Sequence, residues 1–416
     1  GNYPTGTENT ALGDTALDSV QAGGNYNVVL GSRAGTNITT GDNNVGVGAY
    51  ALCDIQTNSQ NVAIGTETLK KNTASNNTAV GYISLRCNTS GCQNTAVGSE
   101  ALKTNTTANN NTAVGHCSLT LNTTGTRNTG TGKSSLQANT TGSCNSGHGM
   151  YALYNNTEGG NNVAVGTCSL FTNTTADNNT AVGLCSLYAN TTGSENTAVG
   201  TYALDANTTG AKNTAVGKNA GSAITTGTFN DIFGRSAGFD LTTGDYNVAV
   251  GSGSLANLTT TNDNTAVGHN ALNTVVTGTQ NTAVGTCALH NTTVNCGTAV
   301  GYQSLKGNTT GDKNTAVGRN SANNNTTGSD NTVVGFCSLG TNTTGACNTA
   351  FGNYSLYSNT TANDNSAFGY NTLGLNTTGT NNVAMGRNAL LNNTTAANNT
   401  AVGKDSLCAN TTSENA

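Results

Sequence analysis

The chain has 416 residues, of which 34% are hydrophobic and 5% aromatic, with no tryptophan and a single proline. Only 15 Lys/Arg and 20 Asp/Glu leave a net charge of −5, so there is no basic footprint for nucleic acid. No apolar run approaches the roughly 18 residues of a spanning helix, and no membrane insertion is expected.

From its N-terminal end the chain returns again and again to a phrase of the type Asn-Thr-Ala-Val-Gly. The closing glycines fall at Gly13, Gly31, Gly48, Gly65, Gly81, Gly98 and onward to Gly403, 24 in all. Nearly every interval is 17 residues, with one of 18 and two of 16. Composition alone would suggest disorder; a fixed short period over the whole length means a stack of similar units instead. The unit reads Asn-Thr-Ala-Val-Gly-x-x-(Ser or Ala)-Leu-x-x-Asn-Thr-Thr-Gly-x-x, and positions below are counted from its first asparagine.

Seventeen residues are too few for two helices and a turn, and Thr, Val, Asn and Gly at this density are poor helix formers. Short β-branched segments punctuated by Gly and Asn read as strands and tight turns. The expected fold is all-β, a parallel β-solenoid of about 24 coils with 17 residues per coil. It is expected to run as one continuous repeat domain over residues 1–416, with no second domain or linker. At about 4.8 Å per coil that stack would be a rod on the order of 115 Å long.

Departures from the consensus point to the core. Position nine is Leu in most coils, for example Leu17, Leu52, Leu102 and Leu187. Where it becomes Gly, at Gly35, Gly221 and Gly238, position twelve changes from Asn to Ile38, Ile224 and Leu241. Both positions are therefore expected to border one narrow interior. Position four accepts Val, Ile, Leu, Phe351, Phe368 and Met385, as an apolar surface against another layer or chain would.

The 12 cysteines recur at set phases without Cys-x-x-Cys spacing, which favours disulfides and a secreted setting over metal binding. Cys168 and Cys185 share position seven in consecutive coils. Cys87 and Cys92 bracket one turn. Cys287 with Cys296 and Cys337 with Cys347 couple positions seven and seventeen, and Cys117 with Cys144 do so one coil apart. If those positions do not meet within one chain, the same cysteines would link neighbouring chains. Cys53 and Cys408 are left over.

Asn-x-Ser/Thr sequons number 25. Most sit at position twelve, where a turn is expected to keep Asn accessible to glycans: Asn88, Asn105, Asn122, Asn139, Asn173, Asn190, Asn207, Asn308, Asn342, Asn359, Asn376 and Asn410. Asn76, Asn110, Asn178 and Asn398 form a second set. The competing reading is a ladder of stacked Asn and Thr side chains.

No catalytic or metal site and no cofactor is expected. His116, His148, His269 and His290 form no common row, and the carboxylates are scattered. Tyr151, Tyr154, Phe171, Tyr188 and Tyr302 are candidate sugar platforms or, more simply, groups packing along the coil edge.

The phrase with its following x-x-(Ser or Ala)-Leu, as in Asn196 to Leu204, resembles the head repeats of trimeric autotransporter adhesins and is similar to shaft repeats of some phage tail fibres. The resemblance covers Asn9 to Asn410. It implies a left-handed β-roll with three chains side by side, whose outer face binds host surfaces. The 17-residue period, the cysteines and the sequons depart from that pattern.

The expected function is the rod-like body of a secreted, N-glycosylated extracellular fibre, with copies of itself as partner, stacked head to tail or side by side, a trimer being one side-by-side form. Both ends break in mid-repeat, which fits head-to-tail stacking or a longer parent chain. An adhesin or viral fibre shaft would look for its receptor near Phe229, Phe233 and Phe239. An ice-binding solenoid would use paired threonines such as Thr208 and Thr209.

Overall fold

The computed structural model describes residues 6–274 and 277–412. It confirms the parallel β-solenoid. Two compact units, Gly1–Ala211 and Lys212–Ala416, are built from the same coil. The first carries twelve three-residue strands, β1 (Thr10–Leu12) to β12 (Thr197–Val199); the second carries β13 (Thr214–Val216) to β24 (Thr400–Val402). Within each unit every strand pairs in parallel with the strands of the coils before and after it. Equivalent positions face each other, as in Thr180↔Thr197, Ala181↔Ala198 and Val182↔Val199. At the inter-strand spacing, twelve coils stack over about 50 Å.

Each strand covers positions two to four, so its period of two aims position three inward and positions two and four outward. Ala96, Ala113 and Ala181 are fully buried accordingly. The rest of the coil is laddered as well. The Cys185 amide donates to the Thr167 carbonyl of the preceding coil (3.0 Å), while Leu187 donates to Ala203 of the following one (3.0 Å).

This switch of direction follows from the backbone. Positions seven, nine and seventeen are left-handed although most are not glycine: Cys117 (φ 56), Leu119 (φ 51) and Arg127 (φ 58) in one coil. Position five needs glycine itself. Gly115 has φ 139, and a Cβ there would lie 2.4 Å from the Gly132 carbonyl oxygen of the next coil. Reversal and close approach together explain why that residue never varies.

The interior holds positions one, three, eight, nine, twelve and fifteen. The position-nine leucines are buried, as the exchange pattern predicts, and Gly35 shows the mechanism. A Cβ at Gly35 would meet Ile38 Cδ1 at 2.9 Å, so the isoleucine fills the space that the leucine leaves. The exchange is not strict, however. Leu17 with Val20, Leu52 with Ile55 and Leu255 with Leu258 bury both residues in one coil.

Position twelve sorts into blocks. In the first unit Val20, Ile38 and Ile55 come first and Asn72 to Asn207 follow. In the second, Ile224, Leu241 and Leu258 come first, and after Thr292 the asparagines run from Asn308 to Asn410. Those asparagines form a buried ladder. Asn122 Nδ2 donates to Asn105 Oδ1 (2.9 Å) and to the Gly125 carbonyl (3.0 Å), and Asn139 Nδ2 repeats this with Asn122 Oδ1 (2.8 Å) and Gly142 (2.9 Å). Where a block begins the bonds lengthen: Asn72 Nδ2 reaches Asn61 Oδ1 at 3.3 Å, and Asn308 Nδ2 reaches Thr292 Oγ1 at 3.3 Å. The position-one asparagines make a second ladder. Asn128 donates its amide to Asn111 Oδ1 (2.8 Å) and its Nδ2 to the Gly142 carbonyl (2.8 Å).

Candidate functional site

The asparagine ladder corrects the glycan row. Asn88, Asn105, Asn122, Asn139, Asn173, Asn190, Asn207, Asn308, Asn342, Asn359 and Asn376 are fully buried. Position twelve does open a turn, but the side chain folds inward to cap the carbonyl three residues on. In the Asn122 rung both Nδ2 hydrogens are used, so a glycan, which replaces one of them, would break a bond and enter a filled interior. Asn410, in the last described coil, is half-buried, with Nδ2 at 3.5 Å from Asn393 Oδ1. The second set behaves differently. Asn76, Asn110, Asn178 and Asn398 stand at left-handed position seventeen and are exposed.

All 12 cysteines are free thiols in the structure. Cys168 and Cys185 stand at position seven of successive coils. Burial pushes both thiols up, and for Cys185 the neighbouring Cys168 and Asp205 add to the shift. Positions seven and seventeen do not meet within a coil. Cys287 follows its strand (Thr282–Val284) and Cys296 precedes the next (Thr298–Val300), so the two phases sit at opposite ends of the sheet face. Each extended residue adds about 3.3 Å, which places these ends well beyond the roughly 7 Å that a disulfide spans. The same placement separates Cys337 from Cys347 and Cys117 from Cys144. Cys296 Sγ instead donates to Gln280 Oε1 (3.5 Å), and Cys117 Sγ lies 3.7 Å from His116 Nε2. Cys87 and Cys92 flank the inward turn at Asn88 and are half-buried. The leftover Cys53 is pushed up by burial and then by Asp54.

Histidines lie apart from one another, with His148 Nδ1 at 2.6 Å from Thr131 Oγ1 and His290 Nδ1 at 2.8 Å from Asn291 Oδ1. Among the described residues no three His, Cys, Asp or Glu cluster as metal ligands would. Among the described residues no helix is long and apolar enough to cross a membrane.

The aromatic residues pack along the coil edge. Tyr154, Phe171 and Tyr188 stack with centroids 5.1 and 5.2 Å apart and planes within 8°. Stacked this way Phe171 has both faces covered, and Tyr154 and Tyr188 have one each. Phe229, Phe233 and Phe239 occupy positions seventeen, four and ten, three separate sides of the coil, so they form no single patch. Phe229 instead stacks on Tyr246 (5.0 Å) under the Lys212 ammonium (4.9 Å). Of each threonine pair one hydroxyl is engaged: Thr174 Oγ1 donates to the Thr191 carbonyl (3.1 Å), and Thr191 Oγ1 to Thr208 (3.0 Å). Only the second threonine, Thr209 in that coil, faces water.

The sheet face is the one broad feature repeated on every coil. Position four forms an apolar row, including Val97, Val114, Val165 and Val199 in the first unit, where Thr131 and His148 interrupt it, and Val250, Val284, Phe351 and Met385 in the second; the eight apolar residues are all exposed. Among the outward strand residues only Asp231 carries a carboxylate. The pattern was legible at position four, where Val, Phe and Met interchange. No known protein family matches the chain, and no curated protein sequence does.

Proposed function

We propose that this chain is the structural body of a secreted extracellular fibre, associating side by side with copies of itself through its sheet faces. The observation that carries the reading is the apolar row at position four. Rows of exposed Val, Phe and Met, interrupted at Thr131 and His148 and flanked mostly by threonine, cost free energy in water, and burying them against an equal row recovers roughly 25 cal/mol per Å². A second copy is the occupant that fits, because its row repeats at the same inter-strand pitch and matches coil for coil. Cysteines at positions seven and seventeen flank that face, where they are placed to link adjacent chains. The resemblance to adhesin heads and phage fibre shafts supports the same side-by-side arrangement. Light scattering on the full chain and on the Val114→Lys/Val284→Lys variant tests it. The parent chain is expected to elute as an oligomer and the variant as a monomer. A parent chain that stays monomeric at micromolar concentration overturns the reading.

A further inference from the structure

One edge of the second unit combines features that the fibre reading does not use. Position six of successive coils there reads Tyr302, Arg319, Phe336, Asn353, Tyr370 and Arg387. The Arg319 guanidinium lies over the Tyr302 ring at 5.7 Å and over the Phe336 ring at 5.7 Å, held between the two. Phe336 meets Tyr354 edge to face (5.3 Å), Tyr354 meets Tyr370 (6.3 Å), and the Arg387 guanidinium covers Tyr370 at 5.9 Å. These six groups form one continuous stripe over five coil steps, about 24 Å.

The stripe is poised for anions. Neither Arg319 nor Arg387 takes part in a salt bridge among the described residues. Between Val300 and Asn392 no Asp or Glu stands at positions four to eleven; the next coil brings Lys404 at position six and Asp405 at position seven, whose carboxylate accepts from Asn388 Nδ2 (2.9 Å). The carboxylates of these coils, Asp312, Asp330 and Asp364, all sit at positions sixteen and seventeen, across the sheet face. These coils thus carry Arg319 and Arg387 on one edge and three carboxylates with Lys313 on the other, although the whole chain is nearly neutral. Arg319 and Arg387 lie against rings and are exposed, so their guanidinium N–H groups are open to a carboxylate, which a guanidinium can grip bidentately.

We propose that this stripe binds an acidic polysaccharide, lying along the coil stack with its carboxylates on Arg319 and Arg387 and its sugar rings against Tyr302 and Tyr370. Spacing decides against nucleic acid. The two arginines stand four coils apart, about 19 Å, whereas a nucleic acid strand carries a phosphate about every 3.4 Å and binds by neutralising many of them. A polymer with sparse carboxylates and apolar C–H faces between them fits two well-separated cations joined by aromatic rings.

The test is binding of the full chain to immobilised hyaluronate, which carries a carboxylate on every second sugar, with neutral dextran and oligo(dT) as comparison surfaces. The parent chain is expected to bind hyaluronate, more weakly as salt rises, and to prefer it to both others. Arg319→Gln and Arg387→Gln should each weaken binding about tenfold, while Arg127→Gln, on the opposite edge of the first unit, should not. Asn353→Lys, which adds a cation within the same row, should strengthen it, so the proposal stays testable even if a loss variant folds poorly. No binding by the parent chain, equal retention on dextran, tighter binding to oligo(dT), or indifference to both arginine variants would each overturn it. None of these outcomes depends on whether the chain assembles.

Discussion

Leucine in the left-handed region is costly, about 1–2 kcal/mol per residue, yet Leu187 (φ 50) and its counterparts adopt it coil after coil. Full burial of a leucine gains roughly 1.5–3 kcal/mol, which offsets the strain. At Gly35 (φ 55) the strain is absent and Ile38 supplies the burial instead. Polar groups meet the same constraint less comfortably. Asp205 holds Oδ1 buried without a partner, and burial pushes its carboxyl above the usual carboxylate range. Between the ordinary and the raised value the folded chain keeps a proton that the unfolded chain has lost. Stability therefore falls as pH rises through that window and stays lower above it. Asp205→Asn is expected to raise Tm near pH 7 and to leave it almost unchanged near pH 3, where the carboxyl is protonated in both states. A Tm that the variant leaves unchanged at both pH values would show that Asp205 is not strained.

At the scale of one coil, the sequence showed the apolar interior but not the polar one. Leu and its Gly/Ile exchanges are visible because only the interior asks for a large aliphatic. Asparagine at position twelve looks the same on the surface of a turn as inside it. What decides is the neighbour: stacked in register, each amide finds its acceptor in the coil before, and burial becomes inexpensive. That is why the residue type runs in blocks, and why Asn207, the last rung of the first unit, keeps an unpartnered Oδ1. The left-handed turns at positions seven, nine and seventeen were not legible either, since Cys, Leu and Arg do not announce positive φ. Asn122→Ala separates the two readings of position twelve. It removes the donor to Asn105 Oδ1 and to the Gly125 carbonyl and the acceptor for Asn139. With about 1–3 kcal/mol per stranded buried group, a loss of roughly 2–4 kcal/mol is expected. In hydrogen exchange the amides of the adjoining coils should lose protection before distant ones. A surface asparagine would cost almost nothing.

For the molecule as a whole, the consequence is a sharply limited set of places for sugar. The sequons of the ladder repeat because the unit repeats, and the fold spends their amides on its own interior. Asn76, Asn110 and Asn178 in the first unit and Asn398 in the second project from position seventeen. They lie beside the sheet face, two to four coils apart within the first unit. Stacked coils put those acceptors about 10 and 19 Å apart, wide enough to escape the crowding of a row filled on every coil. Chain made in a eukaryotic secretory pathway is expected to carry glycan at these four sites and at none of Asn105, Asn122 or Asn139. Site-by-site mass spectrometry after glycan release reads this directly, since each released site leaves an aspartate in its peptide. Folded material with glycan on Asn122 would contradict the buried ladder. Four bare sites in secreted chain would leave only the other exposed sequons, Asn257, Asn291, Asn324 and Asn353, to carry glycan.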